Sequence, residues 1–375
     1  MDFEIDRAQF LEGLSLTQGV VEKRNTLPIL SNVLIEPSES GGISILATDL
    51  DVGVRRTCQC SIRDGGKLTI NARKLYEIVR EITGDSVRVR GADKFAVEIL
   101  SGKSRFKLLG LNPEEFPSIP GLTAKPGKAA ASMRATTLDF GRMIESTIFA
   151  VSMDETRFNL SGVYVEDHDG WLRMVATDGH RLAMIDGKVE GKLPEKGAIL
   201  PRKGLAEVLK LLESGTEKTD PVTFLLEGSI AKVVRGHSEL FMRLIDGEFP
   251  DYRQVIPKKG KCSIVLPRED FLKALRRVSI LSTERSRGVR LTLRSETLEV
   301  QTNNPDLGEA TEELTISYTG PDLAIGFNAR YLLEALDAMQ DTENVEFSVN
   351  DDVSPGVVHP EGDERYCYVV MPMRL

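Results

Sequence analysis

The sequence predicts an α+β protein of three tandem, similar domains, each with two helices packed on antiparallel sheets. Two observations predict it. The first is a domain-sized internal period. Ala176-Thr177-Asp178-Gly179-His180-Arg181-Leu182 has partners in Ala47-Thr48-Asp49-Leu50-Asp51 and Gln301-Thr302-Asn303-Asn304-Pro305, 129 and 125 positions away. Phe10, Phe140 and Phe271 keep steps of 130 and 131, and Arg73, Arg202 and Arg330 keep steps of 129 and 128. Solenoid repeats are far shorter, so each copy should own a core. The second is element order: strands come in runs between two helices per copy, which argues against a parallel βαβ sheet.

Copy one opens on a helix. Asp6 and Gln9 have the spacing of a capping pair, and Phe10, Leu11 and Leu14 form its apolar stripe. Strands follow over 29–35, 43–48, 52–60 and 67–70. Asn71 is a good N-cap for a second helix to about Ile82, which stops near Gly84. Three further strands cover 87–90, 95–100 and 104–109. Copies two and three repeat the order, with Thr136 and Asp139 at capping spacing and Pro201 and Pro267 at helix starts. Polar Gly/Pro-bearing seams at 121–130 and 257–261 each follow a matching Glu-Phe-Pro turn, Glu115-Phe116-Pro117 and Glu248-Phe249-Pro250. The expected domains are therefore 1–127, 128–256 and 257–375.

Composition narrows the class. No apolar run approaches the roughly 18 residues of a membrane helix. The acidic start Met1-Asp2-Phe3-Glu4-Ile5-Asp6 lacks a signal-peptide pattern. Cys58, Cys60, Cys262 and Cys367 fit neither a zinc site nor a disulfide framework, so a reducing cytoplasm is the expected compartment. The net charge of −9 would argue against a nucleic-acid partner if charge were evenly spread. It is not. Across the six predicted helices (6–21, 72–83, 136–150, 202–213, 268–281, 329–340) there are 13 basic and 12 acidic residues. The excess acid therefore sits on strands and loops. Arg73/Arg80 and Lys203/Lys210 are two helical turns apart, hence on one face.

Catalytic signatures are missing. There is no Walker loop, dinucleotide fingerprint, nucleophile elbow or zincin motif, and no cofactor is expected. A hydrolase using Asp178 and His180 is the enzyme alternative. The other copies carry no histidine at that corner, which favours binding over catalysis. The C-terminal run Val369-Val370-Met371-Pro372-Met373-Arg374-Leu375 is apolar to its end, unlike most termini. Methionines suit an adaptable peptide groove; the alternative is an ordinary last strand.

Several stretches together resemble the bacterial DNA polymerase III beta subunits, the DNA sliding clamps. They are Thr26-Leu27-Pro28-Ile29-Leu30-Ser31-Asn32, the 176–182 corner, Pro201-Arg202-Lys203-Gly204, Phe249-Pro250-Asp251-Tyr252, Gly288-Val289-Arg290 and Met371 to Leu375. The resemblance covers the whole chain. It implies a DNA-clamp fold and a non-catalytic processivity factor: a head-to-tail homodimeric ring around double-stranded DNA, lined by helices and sliding without sequence specificity. It places DNA contacts at Arg24, Arg73, Arg202 and Lys203. It places a dimer interface at Phe106 and Leu108 on one side and Ile280 and Leu281 on the other, with Lys103 and Arg105 facing acids between Glu309 and Glu313.

The resemblance also implies a peptide pocket at Leu160, Thr177, Gly179, His180, Arg181, Leu182, Pro250, Val255, Val353, Val369, Val370, Met371, Pro372, Met373, Arg374 and Leu375. Its partners would be the DNA polymerase III alpha subunit, the clamp loader delta subunit, and other polymerases and repair proteins, through short motifs of the Gln-Leu-x-Leu-Phe type. The chain departs from the family at Gln254, where a basic residue is frequent, and at Asn159, where an aromatic occurs. A specialised or inhibitor-resistant paralogue would look the same in sequence.

Overall fold

The structure is a computed structural model and describes residues 1–21, 27–119, 131–154, 156–214, 219–257, 262–283 and 287–374. The seams at 121–130 and 258–261, and the site candidates Arg24 and Leu375, lie outside the described residues. Helices α1 Arg7–Ser15, α2 Ala72–Glu81, α3 Thr137–Ile148, α4 Arg202–Glu213, α5 Arg268–Ser279 and α6 Ala329–Ala338 stand at the six expected places.

The caps form as the sequence spells them. Asp6 accepts from the N–H of Gln9 at 2.9 Å and Asn71 from that of Lys74 at 3.0 Å. Thr136 accepts from the Asp139 N–H at 3.0 Å and donates its hydroxyl to the Asp139 carboxylate at 2.7 Å. The three period-marking phenylalanines are buried, and each meets another ring: Phe10 with Phe3, Phe140 with Phe224, Phe271 with Phe347.

Contacts divide the chain into two compact units. Met1–Gly141, Val189–Glu195 and Leu200–Leu244 make the first; Arg142–Lys188, Lys196–Ile199 and Ile245–Leu375 make the second. The units cut across the sequence repeats because main-chain ladders bridge the seams. In unit one, Val52–Cys58 of copy one pairs antiparallel with Ser238–Arg243 of copy two, inside a nine-stranded sheet, with Gly53 opposite Phe241. In unit two, Arg181–Gly187 of copy two pairs with Tyr366–Val370 of copy three, inside an eight-stranded sheet, with Leu182 opposite Val369.

The remaining sheets end on exposed strands. A five-stranded sheet in unit one ends at Ser104–Leu109, and a four-stranded sheet in unit two ends at Gly308–Thr315.

Four local expectations are corrected. The chain opens on a strand, Asp2–Asp6, whose alternate residues Phe3 and Ile5 are buried. The first helix stops at Ser15, not 21, where Thr17 turns its hydroxyl back to the Leu14 carbonyl at 2.7 Å, a local bond that competes with the helix. Pro28–Ser31 is a 3₁₀ turn, so the first inner strand is Asn32–Pro37. The strand expected over 52–60 stops at Cys58, and an exposed edge strand not expected from the sequence, Ser61–Asp64, follows it.

Candidate functional site

The repeated Thr-Asp stretch folds into the same hydrogen-bonded corner in both units. In the first, Thr48 donates to the Val52 carbonyl at 2.9 Å, and Asp49 accepts from the N–H groups of Asp51 and Val52 at 3.0 and 2.6 Å. In the second, Thr177 donates to the Arg181 carbonyl at 2.6 Å, and Asp178 accepts from His180 and Arg181 at 2.9 and 3.1 Å. Each corner then receives a late strand's N–H: Arg243 to the Asp51 carbonyl, and Met371 to the His180 carbonyl, both at 2.8 Å. The third stretch differs. Its strand runs on to Asn304, and Asn304 rather than Thr302 caps the turn, accepting from the Asp306 N–H.

The side chains around the two corners diverge. Behind the first, Leu34, Leu46, Ile119 and Phe241 form a packed cluster beside a small, half-open pocket of about 10 Å³. That is room for about one water at most. Behind the second, Val175, Leu182, Met184, Tyr252 and Val369 form the floor, with Tyr164 stacked on Phe249 at 4.9 Å. Val255, Val353, Met371 and Phe158 are exposed apolar side chains of the same unit, the kind of surface that suits apolar peptide anchors.

The expected pocket residues separate accordingly. Leu182, Val369 and Val370 are covered and act as wall. His180, Pro250, Val255, Val353, Met371 and Arg374 are exposed, while Leu160, Pro372 and Met373 are half-buried. Thr177 and Gly179 shape the backbone: Gly179 stands at φ 88°, and its N–H donates to the Thr177 hydroxyl. The tail is tied down, because Met373 donates its N–H to the Gly326 carbonyl at 2.8 Å. Asn159 donates to the Glu248 carbonyl at 3.0 Å, joining the 158–160 turn to the Glu-Phe-Pro turn. Gln254 donates to Asp251. Arg157 and Phe158 were missed in sequence. Arg157 reaches the Asp178 carbonyl, and Phe158 lies against Gly247. The available signal was an aromatic beside Leu160.

Arg181 is the largest departure from a rim contact. It is 7% exposed. Its Nε donates to Asp178 at 3.0 Å and its Nη2 to the Phe149 carbonyl at 2.6 Å, while its Nη1 is paired with Glu334. The guanidinium lies 4.5 Å from the Tyr331 ring centroid and 5.4 Å from that of Phe149, a desolvated cation–π arrangement. Burial weakens its hold on the proton, but Tyr368, Glu334 and Asp178 outweigh that and raise its pKa. Asp178 is thus engaged by two backbone N–H groups and a guanidinium, so its carboxylate serves to hold the corner. Within the floor, burial and the Glu166 carboxylate push Tyr252 up to about 12.

Of the candidate DNA residues, Arg73, Arg202 and Lys203 sit at helix starts in unit one. Arg73 pairs with Glu77 at 2.9 Å, as does Lys74 at 2.8 Å, and their hydrogen bonds hold the Glu77 carboxyl below its ordinary range, Lys74 contributing most. Lys203 pairs with Asp49 of the first corner; Arg202 is exposed. An open groove of about 530 Å³ runs beside α2, lined by Gln18, Asn71, Arg73, Lys74, Tyr76 and Arg80. On the two sheet edges, Arg105 is paired with Glu98, and Arg277 holds Glu312 in a two-pronged bond. Phe106 and Ile280 are exposed, and Leu108 and Leu281 half-buried.

Family models of the DNA polymerase III beta subunit match throughout: the N-terminal domain at residues 1–120, the central domain at 136–251 and the C-terminal domain at 253–374. The chain belongs to the DNA polymerase III beta subunit family, the sliding clamps. It is 37% identical to the beta sliding clamp of Pseudomonas aeruginosa and 33% identical to that of Escherichia coli, over the full length of both chains in each case. Among solved structures, the P. aeruginosa clamp bound to griselimycin aligns over the whole of both chains at TM-score 0.91 and 37% identity. The Bacillus subtilis clamp aligns at TM-score 0.93 and 27% identity, over all of this chain and 99% of that one. Three tandem clamp domains and a processivity role without catalysis follow from this membership. The family binds DNA and polymerase partners through a peptide-binding region. No helix among the described residues is long and apolar enough to cross a membrane.

Proposed function

We propose that two copies of this chain close head to tail into a ring around duplex DNA in the cytoplasm. The three clamp domains occupy residues 1–127, 128–256 and 257–375. The observation that carries this reading is the pair of oppositely charged terminal strands. Ser104–Leu109 ends its sheet with Arg105 and Lys107, beside Lys103; Gly308–Thr315 ends its sheet with Glu309, Glu312 and Glu313. A terminal strand is a template for pairing with another chain, and opposite charge selects the heterologous contact over two like edges. Phe106 and Leu108 would meet Ile280 and Leu281 of the partner subunit.

Inside the ring, Arg73 and Lys203 would exchange Glu77 and Asp49 for phosphates, joined by Arg24 and Arg202. Such contacts are sequence-independent and salt-sensitive, which permits sliding. The corner at 177–182, with Leu160, Pro250, Val255, Val353 and the 369–375 tail, would seat the peptide motifs of the polymerase III alpha subunit, the clamp loader delta subunit, and other polymerases and repair proteins.

Two measurements test the ring. Sedimentation should give a dimer that dissociates on Phe106→Arg. Loaded onto a nicked circular plasmid, the protein should stay bound in high salt and be released by one double-strand cut. A monomer, or release by salt alone, contradicts the reading.

A further inference from the structure

Glu334 is shared between two cations in unit two. One carboxylate oxygen accepts from Arg330 on the first turn of α6 at 2.6 Å; the other holds the buried Arg181. Arg181 continues to Asp178, Asp178 caps the corner N–H groups of His180 and Arg181, and the His180 carbonyl holds Met371 on the peptide rim. A continuous polar chain therefore runs from an exposed helix cation to the peptide corner. Arg330 is the third member of the periodic set Arg73, Arg202, Arg330, the first two of which are candidate DNA contacts. The first corner has Val52 where the second has Arg181.

We propose that Glu334 is a positioning residue that couples duplex binding to peptide binding; this rests on the reading above, extended to the exposed Arg330, which matches Arg73 and Arg202 in the repeat. Arg330 has two alternative partners, Glu334 or a phosphate. When a phosphate takes Arg330, the Glu334 charge is left to Arg181 alone. An ion pair in a poorly solvated site strengthens when its competitor leaves. Arg181 then holds Asp178, and Asp178 the corner, in the peptide-ready arrangement. Linkage makes the effect reciprocal: the duplex tightens peptide binding by the same factor as the peptide tightens duplex binding. Couplings of this kind span about 5- to 150-fold. The partial exposure of Glu334 puts this one at the low end, about fivefold.

The test is a fluorescence titration of the full-length protein with a labelled Gln-Leu-x-Leu-Phe-type peptide, with and without a saturating short duplex at low salt. The duplex should tighten peptide binding about fivefold in the unmodified protein and leave it unchanged in Glu334→Gln. Arg330→Met, on an exposed side chain, should lose the effect, and Arg330→Lys should keep part of it. A merely structural Glu334 would shift both affinities alike and leave their ratio untouched. Two ligands that bind independently in the unmodified protein overturn the coupling alone, as does full coupling in Glu334→Gln. Failure of the unmodified protein to bind either ligand overturns the functional reading, and the coupling with it.

Discussion

The two Thr-Asp corners share a backbone plan and differ in a handful of side chains. Leu50, Val52, Gly53 and Phe241 at the first correspond to Gly179, Arg181, Leu182 and Val369 at the second. At the first, Phe241 and Ile119 fill the space above Gly53, so closely that a Cβ on Gly53 would stand 2.7 Å from Ile119. At the second, Leu182 and Val369 lie flat as floor and a buried arginine clips the corner from below. The first corner packs into a cluster, while at the second His180 and Met371 stay exposed beside the buried floor. On the function proposed above, this difference in side chains decides which seam serves as a binding surface.

Substitutions that break this difference should rank by what each leaves behind: an uncompensated buried charge, then a cavity, then an overpacked backbone. Arg181→Met leaves the Asp178 carboxylate without its cation and Glu334 with Arg330 alone, and should cost about 4 kcal/mol, read as a lower denaturation midpoint together with weakened peptide binding. Phe241→Ala should cost about 3 kcal/mol through the cavity it opens. Its peptide affinity should stay unchanged, which separates the two corners. Gly53→Ala overpacks against Ile119 and should cost about 1–3 kcal/mol.

The smallest effect has opposite signs at the two sites. Leu50 holds φ 86° and Gly179 φ 88°, a region costly for a side chain and free for glycine. Leu50→Gly should therefore raise stability by about 1 kcal/mol, and Gly179→Leu should lower it by about 1–2 kcal/mol. Equal signs in thermal melts would mean that the corners are not equivalent.

What the sequence disclosed follows from range. Period, caps and single elements are local properties, and Ser104–Leu109 and Arg202–Glu213 fall where residue pattern alone puts them. Ser61–Asp64 has no buried face and so no alternation to read. Asp2–Asp6 does alternate, but its acidic residues drew attention to charge instead. The pairing of Val52–Cys58 with Ser238–Arg243 joins strands far apart in the chain, and cross-sheet register of that kind is not written in either strand alone. In the candidate site, His180, Val255 and Met371 are exposed, whereas Arg181 turns inward. An arginine is ordinarily exposed; only the convergence of Asp178, Glu334 and the Phe149 carbonyl, brought together by the fold, makes its burial tolerable.

The most direct test of the contrast between corners is the stoichiometry of peptide binding. The Gln-Leu-x-Leu-Phe-type peptide would be titrated into the full chain and into a chain lacking residues 371–375, each checked for folding by its melting transition. One peptide per chain, lost on removal of the tail, is the expected result. Two peptides per chain, or undiminished binding without the tail, would contradict the assignment of the second corner as the binding surface.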